Sequence, residues 1–528
     1  MTGTDRTRLS GSMTVFMGMT LLMILSIFFS LLEVVHYVSL KRQAVMLSQL
    51  GTESLFADYC RPLWEEYQVL GIDGGYGSDK LSVPMAEDRV TSYLLDNSMA
   101  IEQAPGGNHL LFDAADCELV EYGLLTDDNA APLIKECAAT VMHGIPKGML
   151  DMLQEQSEAF TEEAMDWETQ LQDGQDAYLL AKEEQEERAK DAKEDSWSDS
   201  GSTYDIGGSW SDGDTYSNGG TWSDDDDAPD TDGNGADINN PIKAVLDWIQ
   251  TGILSQVNVA DVSQKAFLTN ERVSMRTLAK SSSKVKMSVS LPERAMFQWY
   301  LMDRFSSYTD PKERAGLSYE LEYMVSGEKS DKENLAETVE KLLAIRFAMN
   351  MAAFSKMSDK QSKAGLVAAG LAGITLSPEA YTAIKAGVIA AWVYTESVLD
   401  VRTLLAGEKI ALMKTSADWT SQLGTLFTCL SQNTKAKENP AGLDYKTYLG
   451  MMLTLVASDS IGYRALDVME NELHNREEYR NVRMDCFLYR ATMSYTCYGS
   501  PVFGSLVTVA QAPGGYSFPE RNTMVYTE

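Results

Sequence analysis

Histidine and cysteine side chains carry much of the metal binding and nucleophilic catalysis in proteins, and this sequence has only four histidines and six cysteines. The histidines are His36, His109, His143 and His474, and none lies in an H-E-x-x-H pattern. His474 and Glu477 form H-x-x-E, but their charged surroundings are more typical of a solvated helix face than of a zinc site. The sequence also lacks C-x-x-C, G-x-S-x-G and phosphate-binding glycine patterns. We therefore predict a protein that is not an enzyme and needs no cofactor.

Asp and Asn side chains, whose oxygen atoms can bind a metal ion, are concentrated in one segment of the chain. Asp230, Asp232 and Asn234 have the spacing of positions 1, 3 and 5 of a calcium loop, and Asp237 follows them. Position 12, where an EF-hand needs a bidentate Glu, is Pro241. Because Asp-rich segments produce such matches by chance, this is a weak calcium-loop candidate, and we predict no metal site.

Two cysteine pairs have spacings that would permit disulfides in an exported protein. Cys486 and Cys497 flank one strand-like segment, and Cys117 and Cys137 are twenty residues apart. The alternative, which the sequence favours, is that the thiols are unpaired and half-buried.

The chain is strongly acidic, with 44 Lys and Arg against 77 Asp and Glu among 528 residues, a net charge of −33. This charge argues against nucleic acid as a partner, since phosphate binding needs clustered bases. Residues 195–240 are mostly Asp, Ser, Gly, Thr and Asn, so we predict a disordered linker there. Three repeats centred on Trp197, Trp210 and Trp222 are read as incidental low complexity; the alternative is contact with a partner or with cell-wall glycans.

The amino end carries the clearest structural signal. Residues 13–32 are uncharged and mostly apolar, and twenty helical residues rise about 30 Å, which matches a bilayer core. We expect a cytoplasmic tail at 1–12, a transmembrane helix at 13–32 and a helical stalk at 33–59. A cleaved signal peptide is the alternative. The predicted membrane-anchor residues are Met13, Phe16, Leu21, Leu22, Ile24, Leu25, Ile27, Phe28, Phe29, Leu31 and Leu32.

The residues around this apolar segment are similar to the amino end of TadE/TadG-like proteins, the pseudopilin-like membrane proteins of tight-adherence (Flp, type IVb) pilus gene clusters. The similarity rests on Gly11-Ser12 before the apolar segment, on Glu33 after it, and on Lys41-Arg42 and Glu53-Ser54. Further segments resemble an uncharacterised bacterial family, a domain of unknown function that accompanies such clusters. These segments are 56–67, 316–323, 392–407, 414–419 and 442–449.

One feature of prepilins is missing from the sequence. If the chain were cut after Gly11, the fifth mature position would be Phe16 rather than the usual Glu. This argues against processing by a prepilin peptidase and against entry into a filament core. Glu33 lies at the far end of the span, where a solvated helix-end charge is favoured over a functional one.

The rest of the chain predicts a helix-rich α+β protein with a small, mostly antiparallel sheet and a helical body. We expect a mixed, mainly helical region at 60–194 and an α+β globular domain at 241–528. Alternating apolar residues predict strands near 109–124, 284–291, 317–325 and 487–495. Long helices are predicted near 331–358, 379–406 and 444–458, and the apolar segment 386–395 is too short for a second span.

Together, these features lead us to expect a single-pass membrane protein. Basic residues flank both sides of the span, so they do not decide its orientation; we expect the bulk of the chain to lie outside the cytoplasm. The resemblance implies a non-enzymatic assembly component of a tight-adherence pilus or a related envelope system. Its partners would be the lipid bilayer and other pilus-assembly or pilin-like membrane proteins. A membrane-anchored cell-envelope hydrolase and a surface adhesin are the alternatives.

Overall fold

The computed structural model describes residues 7–102, 112–141, 167–198, 240–257, 259, 261–372, 378–502 and 515–527. These residues form two compact units, each assembled from separate chain segments. The first unit contains 1–157, 263–335 and 449–528, and the second contains 158–262 and 336–448. The predicted regions 60–194 and 241–528 are each divided between the two units. The predicted linker at 195–240 and the calcium-loop candidate lie almost wholly outside the described residues.

Helices make up most of the described structure, as the sequence predicts. They are α1 Thr7–Ala57, α2 Arg61–Tyr67, α3 Val83–Glu102, α4 Asp127–Val141, α5 Trp167–Ser198, α6 Pro241–Ile249, α7 Ile253–Gln256, α8 Leu291–Arg304, α9 Glu320–Ser326, α10 Asp331–Phe354, α11 Ser358–Ala372, α12 Pro378–Leu405, α13 Leu426–Ser431, α14 Tyr445–Leu455 and α15 Ser458–His474. The strands are β1 Ile72–Asp73, β2 Phe112–Leu124, β3 Phe487–Gly499 and β4 Tyr516–Val525.

The four strands form one small antiparallel sheet in the first unit, which confirms the prediction of a helix-rich α+β protein with a small, mostly antiparallel sheet. The 13-residue strand β3 lies at its centre and pairs with β1, β2 and β4. Its partners include Leu119 of β2 opposite Met493, and Phe518 of β4 opposite Cys497. Nine of the thirteen β3 residues are buried, including adjacent ones whose side chains point to opposite faces of the sheet, so both faces of the strand are covered. The sheet therefore joins chain segments that lie more than 350 residues apart.

Two of the predicted strands are wrong. Residues 284–290 run without regular strand structure, and Leu291 begins α8. Within this segment the Met287 backbone N–H donates to Asp128 Oδ2 at 2.7 Å rather than to a neighbouring strand. The second predicted strand, 317–325, contains helix α9, which ends at Gly327 in a left-handed conformation with φ of 84°. Its polar Glu320 and Glu322 are as buried as the apolar residues between them. The alternation of polar and apolar residues at 317–325 therefore does not indicate a strand with one buried and one solvated face.

The second unit is built around α12, a 28-residue helix that is buried along most of its length. It packs against α5, α6, α11 and α13. Gly174 of α5 and Gly387 of α12 permit a close crossing, since a Cβ on Gly174 would lie 2.7 Å from the Gly387 Cα. Residues 390–395 are all buried, so the prediction of a core helix rather than a second membrane span is confirmed.

Candidate assembly site on the amino-terminal helix

Helix α1 is one unbroken helix of 51 residues with two different halves. Among the described residues it is the one helix that is long and apolar enough to cross a membrane. Phe16 is 67% exposed and Leu22 is 68% exposed, whereas Leu40 and Ala44 further along are fully buried. Exposed apolar area on this scale is unfavourable in water, and a helix of this kind could serve as a membrane anchor or as a signal sequence.

The predicted anchor residues lie on this exposed half. Nine of the eleven are exposed: Met13, Phe16, Leu21, Leu22, Ile24, Leu25, Ile27, Phe28 and Leu31. Phe29 and Leu32 are half-buried. Gly11 and Ser12 are part of the same helix. The first half of α1 therefore presents apolar side chains around its circumference rather than along one stripe.

The second half of α1 packs on the sheet. Leu40, Leu47 and Phe56 lie in one core cluster with Met493 of β3 and Phe518 of β4. Burial of large apolar side chains contributes roughly 1.5–3 kcal/mol each, so this packing is the main force that fixes the helix on the sheet. The helix consequently projects its exposed half from a sheet-supported base.

Polar contacts mark the junction between the two halves. The Tyr516 hydroxyl donates a hydrogen bond of 2.7 Å to Glu33 Oε1, and its ring meets Tyr37 edge-on at 5.1 Å. Burial and the neighbouring Glu33 carboxylate raise the pKa of Tyr516 to about 12. The His36 Nε2 lies 3.1 Å from the Ser500 carbonyl oxygen. Glu33 is thus half-buried against β4, whereas the sequence favoured a solvated charge.

Further along α1, hydroxyl and amide groups join the helix to the sheet. The Thr52 and Tyr495 hydroxyls lie 2.8 Å apart in a buried contact, and Asn522 donates to the Ser48 hydroxyl at 2.7 Å. The partners come from β3 and β4, more than 400 residues away. No local pattern in the sequence could identify them.

Thr52→Val is expected to lower the free energy of unfolding by about 1–2 kcal/mol, because it keeps the side-chain shape but leaves the buried Tyr495 hydroxyl without this partner. Chemical denaturation of the purified protein measures the change. Ser92→Ala is the control, since the exposed Ser92 hydroxyl bonds only within its own helix, to the Asp88 carbonyl. Equal effects of the two substitutions would contradict a stabilising role for the Thr52–Tyr495 contact.

A cleft of about 1010 Å³ lies beside the carboxyl end of α1. Acidic and tyrosine side chains line much of it: Asp58, Asp73, Asp88, Asp96, Glu478, Tyr59, Tyr76, Tyr93 and Tyr479. Burial raises the pKa of Asp73, against the effect of backbone N–H groups. Asp73 accepts hydrogen bonds from Gly75 and Gly77, and Asp58 pairs with Arg89 at 3.1 Å. Two of the acids are therefore already engaged by this unit itself.

The other candidate residues are not brought together. All six cysteines are free thiols. Cys486 precedes β3 and Cys497 lies near its end, and at about 3.3 Å per residue the strand separates them by more than a disulfide can span. The His474 Nε2 lies 2.7 Å from the Val482 carbonyl oxygen. Within the described part of the chain, no group of His, Cys, Asp or Glu is arranged to hold a metal ion.

Sequence reasoning missed a cluster of charges in the core of the second unit. Arg346 of α10, Glu396 and Asp400 of α12, and Lys414 in the loop after α12 form a buried ion cluster. Their side chains are between 0 and 1% exposed. The one available signal was a pair of acids spaced i,i+4 in a mostly apolar part of α12. Their basic partners are supplied by other parts of the chain.

These features define a helix-rich α+β protein with one apolar amino-terminal helix whose second half is packed on an antiparallel sheet. The chain belongs to a family of unknown function, DUF5702, whose model matches residues 232–499. The matched segment includes the buried ion cluster and β3, and it begins after α1. Neither the comparison with curated proteins nor the comparison with solved structures returned a match.

Proposed function

We propose that this protein is a membrane-anchored, extracytoplasmic assembly component of a tight-adherence-type pilus or a related envelope system. In this role the first half of α1 spans the bilayer and packs against similar helices. The folded body lies outside the cytoplasm and contacts envelope or pilus partners. No catalytic step is assigned to it.

One observation carries this proposal: a single continuous helix is apolar and exposed in its first half and packed on an antiparallel sheet in its second half. A cleaved signal peptide would not need to continue as a core helix. Here the sheet is built onto the same helix, with Leu40 and Ala44 fully buried. Cleavage just after the apolar segment would cut the helix where Glu33 and His36 contact Tyr516 and the Ser500 carbonyl, so retention of α1 as an anchor fits these contacts better than cleavage.

Ile24→Arg is expected to weaken membrane insertion by about 2.5–3.5 kcal/mol, because the charge would lie near the centre of the span. The fraction of protein that stays in the membrane after alkaline extraction measures this effect. Val38→Arg is the control, since Val38 is 57% exposed but lies beyond residues 13–32. If neither substitution changed the fraction, or if the wild type were extracted as a soluble protein, the anchor would be refuted.

The assembly role is tested with a photo-reactive amino acid at one α1 position in living cells. At Leu22, in the exposed half, we expect cross-links to other single-span, pilin-like proteins. At Leu47, which is buried against the sheet, we expect no cross-links to other chains.

Deleting the gene should reduce surface filaments, and external protease should digest the acidic segment 195–240 in intact cells. Normal filaments together with an absence of cross-links at Leu22 would overturn the proposal.

A further inference from the structure

We propose that Lys414 and Asp400 condense spontaneously to form an intramolecular amide cross-link, with Glu396 as the proton-transfer group. The inference rests on the buried ion cluster and is independent of the pilus assignment. The three reacting groups lie within one unit and one folded core. No further reactant is needed, since an ammonium and a carboxylate yield an amide and water.

Lys414 supplies the nucleophile. Its side chain is 1% exposed, and its Nζ contacts both Glu396 Oε1 and, at 2.5 Å, Asp400 Oδ1. Among the described contacts, Lys414 is the one group that faces Asp400 Oδ1. This arrangement brings the nitrogen to the carboxyl group that it would attack.

Asp400 supplies the electrophile. Its other oxygen, Oδ2, accepts hydrogen bonds from Arg346 Nε at 3.0 Å, Arg346 Nη2 at 2.7 Å and Asn350 Nδ2 at 2.8 Å. Three fixed donors on one carboxyl oxygen resemble an oxyanion hole, because they stabilise negative charge that develops there in a tetrahedral intermediate. The two oxygens of Asp400 thus have different environments, one held by donors and one facing Lys414.

Glu396 is positioned to transfer protons. Its carboxylate contacts Lys414 and is held by the backbone N–H groups of Thr420, at 3.0 and 3.2 Å, and Ser421, at 2.8 Å. Glu396 and Asp400 are four residues apart on α12, so both carboxylates lie on the same face of the helix. The Lys414 Nζ also lies 6.0 Å from the centre of the Trp419 ring, which helps to exclude water.

The condensation conserves atoms and charge. The Lys414 ammonium gives one proton to Asp400 Oδ1, which leaves an amine and a neutral carboxylic acid. The amine nitrogen attacks Cγ, and the C=O electron pair moves to Oδ2. Glu396 takes a proton from the attacking nitrogen and returns it to Oδ1, which leaves as water. One C–N bond forms and one C–O bond breaks, and a positive and a negative charge disappear from a site where both are costly.

Burial distinguishes this pair from an ordinary ion pair. Lys435 and Glu408, in the same unit, are 3.0 Å apart but 47 and 36% exposed. Water stabilises both charges at that exposed site, and no donors gather on the Glu408 carboxylate among the described contacts. Lys435 therefore provides an internal control, for which we expect no cross-link.

The test uses the full-length protein purified in detergent and incubated at neutral pH. The protein is then denatured, its free amines are acetylated, and its peptides are analysed by mass spectrometry. We expect a branched peptide that joins residues 400 and 414 and is lighter by one water molecule, whereas Lys435 is acetylated. Because Arg346 favours the ionised carboxylate, the reaction should be slow, and the lighter form should accumulate with time.

Glu396→Gln is expected to slow formation by about 100-fold or more, the usual contribution of a positioned proton-transfer group. Asp400→Asn should form the same amide by losing ammonia instead of water. Lys435→Arg should leave the cross-link unchanged. Recovery of the wild type at full mass, with Lys414 acetylated after prolonged incubation, would overturn the proposal whether or not the variants fold.

Discussion

Arg346→Met is expected to lower the free energy of unfolding of the second unit by about 3–5 kcal/mol, the usual cost of removing one partner from a buried ion pair. Arg346 is fully buried and bonds to Asp400, Asn350 and the Tyr448 hydroxyl. Burial alone would raise the pKa of Asp400, but Arg346 and Lys414 outweigh it and hold that pKa below its usual value. In freshly purified protein, before the proposed amide forms, loss of the guanidinium would leave the Asp400 carboxylate under-compensated in the core.

Urea unfolding followed by tryptophan fluorescence measures this loss, because Trp392 and Trp419 lie in the same unit, with ring centres 6.4 Å apart. Lys341→Met is the matched control on the same helix: Lys341 forms an exposed i,i+4 pair with Glu337 at 2.7 Å. Such surface pairs contribute about 0–1 kcal/mol. If the two substitutions had similar effects, the ion cluster would be energetically unimportant.

The amino-terminal helix is the part of the structure that was most predictable from sequence. Twenty uncharged residues at 13–32, followed by a segment without Pro, indicate a long helix by local rules. The sequence also predicted where the apolar half ends, but it did not predict that the following stalk is packed on a sheet. The packed half is defined by β3 and β4, whose side chains Tyr495 and Phe518 come from the far end of the chain.

The incorrect prediction of a strand at 317–325 has a specific physical cause. The prediction assumed that alternate positions face water, but Glu320 and Glu322 are buried and act as hydrogen-bond acceptors. Glu320 accepts from the Ser306 backbone N–H at 2.7 Å and from the Tyr67 hydroxyl at 3.1 Å. Alternation of polar and apolar residues is informative only when the polar ones are solvated, and tertiary contacts decide that.

The buried ion cluster was missed for a related reason. In sequence, Arg346 and Lys414 look like ordinary surface bases, since Arg and Lys are almost never fully buried unless they are paired. Their partners Glu396 and Asp400 are close to each other but 50 residues or more from Arg346. Pairing across that separation depends on how the helices pack, and a single sequence does not report it.

Glu136→Gln is expected to remove a marked dependence of stability on pH. Burial raises the pKa of Glu136 from 4.5 to about 8, and the Leu70 N–H, which donates to Oε1 at 2.5 Å, only partly offsets it. Between pH 4.5 and about 8, the carboxyl group is therefore neutral in the folded protein and ionised in the unfolded chain. The folded state retains the proton, so the contribution of Glu136 to stability is largest below pH 4.5 and is lost as pH rises towards 8, a total change of about 3–5 kcal/mol.

Thermal or chemical unfolding between pH 4 and pH 9 tests this prediction. The difference between Glu136→Gln and wild type should favour the variant increasingly above pH 5 and level off above pH 8. Glu118→Gln is the control, because Glu118 is exposed on β2 in the same unit and its substitution should give a constant difference. A constant difference for Glu136→Gln as well would mean that Glu136 is ionised in the folded protein, and the buried neutral carboxyl group would be excluded.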